Sequence, residues 1–212
     1  MSTAKALYFL DTLSAYFPEA QIELCFDKKD PWQLLVAVVL SAQTTDKAVN
    51  KVTPNLFAAY PTVYDLAKAT PEEIEPYVQT LGFFRNKAKN LVLGARKIIQ
   101  DFDGKLPKDR PLLESIPGVG PKSAAVIIAN AFGVPAIAVD THVGRVARRL
   151  GLSKNQDPSK VEADLTNLFP KERLLEAHHV FIFHGRRICH ARKPSCQECP
   201  VALKCNYFKQ HL

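Results

Sequence analysis

Ile116-Pro117-Gly118-Val119-Gly120-Pro121-Lys122, an apolar run over Ala124–Ala129, and then Val139-Asp140-Thr141-His142 decide the reading of this chain. Two glycines one residue apart permit a tight turn, since Gly118 and Gly120 can both take positive φ. Pro121 fits the first position of a helix, where its missing N–H costs nothing. Gly118, Val119 and Gly120 would then present backbone N–H groups at the positive end of a helix, a natural seat for a phosphate. Lys122 falls in the first helical turn. The helix field disfavours an ammonium there and is expected to lower its pKa, and a lysine nucleophile must be neutral to attack. A nearby carboxylate such as Asp140 could accept a proton or stabilise a developing sugar cation. The pattern suits amine-based covalent chemistry on a sugar-phosphate polymer. The same residues also suit a plain connector, with Asp140 as a helix cap and Lys122 in solvent.

Chain length allows the first arrangement. A helix from Pro121 to Phe132 carries the chain about 18 Å. Gly133 and Pro135 stop it. Gly133–Val139 can span at most about 25 Å, so Asp140 can return beside Lys122 only if Ala136–Val139 runs nearly straight.

The 212 residues hold 28 Lys and Arg against 21 Asp and Glu, a net charge of +7, and 47% are hydrophobic. That is ample for one domain or two small ones, and the positive surplus favours an anionic partner such as nucleic acid. No leader is expected, because the apolar stretch Ala6–Leu10 is cut off by Asp11. The longest apolar run is interrupted by Asn130, Gly133 and Pro135, which excludes a bilayer span. The expected setting is cytoplasmic, on the nucleoid and without a membrane partner.

The chain reads as all-α, with about ten helices and almost no sheet. Apolar residues recur at three- and four-residue spacing over 4–17, 49–60, 87–102 and 171–183, and no strict alternation appears. Helix starts are marked at Asp30-Pro31, with Gln33 placed to complete a capping box, and at Thr70-Pro71-Glu72-Glu73, Asp157-Pro158 and Pro170. Leu34–Leu40 and Ala124–Ala129 are expected as buried central helices. His178, His179 and His184 share an apolar helix and read as structural. Asp46 suits either a helix cap or a polar site.

Four of the five cysteines cluster near the end as Cys189, Cys196, Cys199 and Cys205, spaced C-x6-C-x2-C-x5-C. In a reduced compartment this favours metal over disulfides. Spacing alone leaves zinc and a [4Fe–4S] cluster both open. Cys25 stands apart and reads as core. Around the cluster lie Arg186, Arg187, Arg192, Lys193 and Lys204, a phosphate-contacting patch or a solvated face.

Four blocks together, Ser41-Ala42-Gln43-Thr44-Thr45-Asp46, Ile116–Lys122, Val139–His142 and Cys189–Cys205, resemble bacterial endonuclease III of the helix-hairpin-helix DNA glycosylases. The resemblance runs nearly the whole chain. It implies two helical lobes with a DNA groove between them. One is a six-helix domain over 24–134; the other joins 1–23 to 135–212 around a [4Fe–4S] cluster held by the four cysteines. It implies a bifunctional glycosylase and AP lyase that removes oxidised pyrimidines from damaged double-stranded DNA. Lys122 would be the Schiff-base nucleophile and Asp140 the essential carboxylate. The protein would act as a monomer, with no protein partner inferable. Related adenine glycosylases carry serine where this chain has Lys122, and usually a further C-terminal domain that is not expected here. The alternatives are a monofunctional adenine or mismatch glycosylase and a non-catalytic DNA-binding protein with a structural metal.

The family pattern also places DNA-filling wedges at Gln43 and at Phe83 in Leu81-Gly82-Phe83-Phe84-Arg85, although an aromatic residue is core by default. Many relatives have leucine at the position of Phe83, and Arg85 replaces a smaller polar residue. His142 would contact a phosphate or the extruded nucleotide, or make a local hydrogen bond.

Overall fold

The computed structural model describes residues 2–211, which are helical with no strand among them. The helices are α1 (Thr3–Tyr16), α2 (Pro31–Ser41), α3 (Asp46–Ala59), α4 (Val63–Lys68), α5 (Pro71–Val78), α6 (Phe84–Phe102), α7 (Arg110–Glu114), α8 (Pro121–Phe132), α9 (Thr141–Leu150), α10 (Pro158–Leu168), α11 (Leu174–Arg187) and α12 (Asn206–Gln210). Periodicity undercounts them because α4, α7 and α12 have only six, five and five residues. Such lengths are too short for a three-to-four repeat to register.

Local chemistry sets the starts. Asp30, Thr70, Asp109 and Asp157 each accept a first-turn N–H, with proline just inside the helix. This satisfies donors the helix cannot pair itself. Thr70 and Glu73 form the reciprocal capping box, and Thr62 and Asp65 form another. The box expected at α2 is only half made. Asp30 accepts from Trp32 N, while Gln33 Oε1 takes the N–H of Asp27 upstream instead. At α3 the cap is Thr45, leaving Asp46 as the first helical residue.

The chain divides into two compact units, Glu23–Gly133 and the segment through Ile22 joined to that from Val134 onward. In the first, Leu34–Leu40 are all buried, and α2 packs on α3, α6 and α8. The buried residues of α8 are Ala124, Ala125, Ile127, Ile128 and Ala129. Small side chains bring the elements close. Gly94, inside α6, lies against Ile116 and Pro117, where a Cβ would approach Ile116 Cγ2 to 3.3 Å. This seats the α7–α8 hairpin on α6.

The second unit centres on Phe9, Leu10 and Leu13 of α1, Val143, Val146 and Leu150 of α9, and Val180 and Phe181 of α11. Val201 and Cys205 join that core, and Cys189, Cys199, Tyr207 and Phe208 pack against it. The terminal loop is therefore anchored by its own apolar residues. Cys25, expected in the core, is exposed. Its neighbour Leu24 takes the buried position, and Asn50 holds the loop by accepting from Cys25 N at 2.8 Å and donating to Glu23 O at 2.8 Å. Among the described residues no helix is long and apolar enough to cross a membrane.

Candidate functional site

The hairpin turn forms from its own backbone. Val119 N donates to Ile116 O at 3.0 Å, and Gly118 takes φ +85. Only glycine sits there without strain. Gly120 does not use that freedom: its φ is −94, an ordinary extended value, and it serves as the N-cap of α8. With no side chain it leaves the first-turn N–H groups uncapped, and a Cβ at Gly120 would meet nothing within 4 Å. The open N-terminus can therefore accept an outside anion. Val119 is buried and keys the turn to the core. Lys122 is exposed in the first turn of α8.

Asp140 caps α9, its Oδ1 accepting from Val143 N at 2.7 Å. One carboxylate oxygen is thus committed to the helix and fixes the side chain. Asp140 and Lys122 belong to different compact units.

His142 is half-buried, and its Cβ lies where a Cβ on Gly185 would come within 2.9 Å, so α9 and α11 touch at that point. Its Nδ1 lies 3.1 Å from Arg145 Nη2, the local contact that competes with a nucleotide role. Burial lowers the His142 pKa; Asp140 opposes this and Arg145 adds to it.

Three exposed residues of the first unit have a left-handed backbone: Gln43, Phe83 and Asp103, the last closing α6 as its C-cap. Gln43, between α2 and α3, has φ +53, and Phe83, before α6, has φ +58 and is 69% exposed. A left-handed backbone is costly for a bulky residue, and an aromatic side chain in water forgoes burial. The expectation that Phe83 is core does not hold: Leu81 fills that role at 2% exposure.

In the second unit, Cys189, Cys196, Cys199 and Cys205 line one partly open cavity, with Arg149, His184 and Tyr207. All four cysteines are free. Among the described residues no three His, Cys, Asp or Glu side chains are grouped to hold a single metal ion. Four cysteine thiols around one space are the donor set that an iron–sulfur cluster needs. Burial and the neighbouring cysteines push the Cys196 thiol up, and burial pushes Cys199 to about 11. Such thiols ionise against a bound cation.

Arg149, which sequence reading passed over, organises the loop. It donates to Cys189 Sγ at 3.3 Å, His190 O at 2.6 Å and Ala191 O at 3.0 Å, and lies 4.3 Å over the Tyr207 ring. His178, His179 and His184 are buried as structural residues, His178 Nδ1 lying 2.9 Å from Ala138 O. Of the basic residues here, Arg187 pairs with Glu19 and covers Phe183, and Lys204 covers Tyr8. Arg186, Arg192 and Lys193 are exposed.

Residues 36–171 match the HhH-GPD superfamily of base excision DNA repair proteins, and residues 189–202 match the iron–sulfur binding domain of endonuclease III. Endonuclease III of Synechocystis sp. is 46% identical over 95% of this chain and 91% of its own length. The chain belongs to the endonuclease III family. The Escherichia coli member is 39% identical over 98% of this chain and 97% of its own. In structure the chain resembles an endonuclease III captured as a trapped covalent intermediate with DNA, with a TM-score of 0.93, 42% identity, and coverage of 100% of this chain and 99% of that one. As an endonuclease III family member it takes a [4Fe–4S] cluster, and the matched segment contains Cys189, Cys196 and Cys199.

Proposed function

We propose that this protein removes oxidised pyrimidines from duplex DNA and then nicks the strand 3′ to the abasic site. Membership of a family of base excision repair glycosylase/lyases supports the reaction class. The observation that carries the reading further is Lys122, exposed in the first turn of α8 behind an uncapped glycine turn. A relative that forms a covalent intermediate with DNA calls for such a nucleophile. Lysine at 122 also sets this reading above a monofunctional glycosylase or a non-catalytic binder.

The sugar carbon is inaccessible inside the stack, so the damaged nucleotide must be turned out. Gln43 and Phe83 fill the space it vacates. Gly118, Val119, Gly120 and His142 hold the backbone around it. Neutral Lys122 attacks C1′ through Nζ; the C1′–N bond breaks, and the base leaves with the bonding pair and takes up a proton. Asp140 stabilises positive charge on the sugar and accepts the proton that Lys122 Nζ sheds. The nitrogen lone pair then opens the sugar ring: the C1′–O4′ bond breaks, O4′ takes up a proton, and the resulting C1′ iminium acidifies the C2′ hydrogen. Its loss sends electrons through C2′–C3′ and expels the 3′ phosphate. Water then hydrolyses the iminium and frees Lys122.

Cys189, Cys196, Cys199 and Cys205 are the ligands of the [4Fe–4S] cluster in this reading. When bound, the cluster ties the ends of its loop together through four iron–sulfur bonds. The unit from Glu23 to Gly133 is the helix-hairpin-helix domain, and the other is the cluster domain. The protein works as a monomer in the bacterial cytoplasm, on the nucleoid.

Incubation with duplex DNA bearing an oxidised pyrimidine or an abasic site, in the presence of borohydride, tests the proposal. A covalent adduct is expected from the wild type and none from Lys122→Ala. Undiminished trapping by Lys122→Ala would overturn the assignment.

A further inference from the structure

Lys87 stands on the buried face of α6 with 4% of its surface exposed. Burying an ammonium is expensive unless its hydrogens are met. Burial lowers its pKa, and its place in the first turn of α6 puts it at the positive end of the helix dipole, which adds to the cost. A methionine or leucine would fill this space more cheaply. What the lysine does gain is geometry. Its Nζ donates to Thr44 Oγ1 at 2.5 Å, while its backbone N–H makes the ordinary first-turn helix bond to Phe83 O at 3.0 Å, which any residue there would make. Thr44 is itself fixed, its N–H bonded to Ser41 O at 3.0 Å and its hydroxyl 3.3 Å from Ala42 O. The Lys87 side chain therefore ties the Gln43 loop to the start of α6, the helix that Phe83 leads into, and both Gln43 and Phe83 are left-handed.

We propose that Lys87 is a positioning residue, a buried strut that locks the Gln43 loop to the Phe83 loop so that both side chains enter a duplex as one rigid device. The proposal rests on the repair reading above. Its advantage is preorganisation: two loops ordered beforehand need not be ordered when DNA binds. Lys87 touches no DNA in this role, because it has almost no exposed surface.

The test uses the whole protein with its cluster and compares wild type with Lys87→Met, Thr44→Val, Thr44→Ser and the Lys87→Met/Thr44→Val double variant. Single-turnover nicking is followed on an abasic site in duplex DNA and in the same strand alone. A 2-aminopurine opposite the abasic site reports on opening of the stack. Lys87→Met and Thr44→Val are each expected to slow duplex nicking and the fluorescence rise by roughly tenfold, as for loss of a hydrogen bond to a charged group. The double variant should be no worse than either, and Thr44→Ser should behave as wild type. Nicking of single strands should not change. Should Lys87→Met fail to fold, Thr44→Val against Thr44→Ser decides alone. Undiminished duplex nicking by both single variants, equal losses on single strands, or multiplying losses in the double variant would each overturn the strut. Absence of nicking by the wild type would instead overturn the repair reading, and the strut with it.

Discussion

Replacing Gly118 with alanine is expected to cost about 2–4 kcal/mol of stability in the unit Glu23–Gly133. Gly118 has φ +85, where an L side chain costs about 1–2 kcal/mol. The added Cβ would stand 3.0 Å from Asn90 Cβ and 3.0 Å from Val39 Cγ1. Both neighbours sit on helices, and Val39 is 3% exposed, so neither side can yield freely. Overpacking of this kind costs about 1–3 kcal/mol. Alanine's smaller unfolded-state entropy returns only about 0.4–1 kcal/mol. Gly120→Ala is the matched control, with φ −94 and open space around the new Cβ; its stability should change by less than about 0.5 kcal/mol. Urea unfolding followed by fluorescence suits the comparison, since the single tryptophan, Trp32, is 6% exposed on α2 of the same unit. At a typical slope the Gly118→Ala midpoint should fall by about 1–2 M. Duplex binding should weaken in Gly120→Ala while its midpoint holds, because the methyl intrudes on the open helix end. A Gly118→Ala loss below about 0.5 kcal/mol, or equal losses in the two variants, would refute the reasoning.

Phe83→Gly relieves a left-handed aromatic and should stabilise the protein by up to about 1 kcal/mol while slowing nicking of duplex but not single-stranded abasic DNA. A variant that is both more stable and fully active on duplex would remove the wedge role. Arg149→Met loses donors to Cys189 Sγ, His190 O and Ala191 O together with the Tyr207 stack, and should lower iron content and bleach faster in visible absorbance. Iron retention equal to wild type would count against the loop-organising role. Burial, with help from His178, holds His179 at about 3, whereas an unfolded imidazole titrates near 6.5. As pH falls the unfolded state takes the proton first, so His179's contribution is intact above about pH 6.5 and erodes below it, by roughly 1 kcal/mol at pH 5.5. His179→Leu should flatten the thermal midpoint between those values, and an unchanged slope would exclude His179 as its cause.

Much of this protein is legible without coordinates. Proline after Asp or Thr marks where helices start because the reason is local: orphan N–H groups need an acceptor, and proline needs no donor. The glycine turn before Lys122 and the cysteine spacing are equally local, which is why they point to phosphate and metal. Positions set by tertiary packing are not legible in that way. Gln33 could complete a cap on paper, but the loop before α2 folds back and takes its side chain to Asp27. Gly118 and Gly120 look alike in sequence, yet only the first meets Asn90 and Val39 and needs a positive φ. Cys25 and Phe83 are apolar enough for a core, and neighbouring Leu24 and Leu81 occupy it instead. Lys87 left one clue, a charge in register with Leu91, Ala95 and Ile98 on the buried face of α6. The sequence by itself determined helices, family and chemistry, since those follow from residue types at short spacing. Only the tertiary structure decided which of two similar residues is strained, exposed or buried, since that depends on atoms brought from distant parts of the chain.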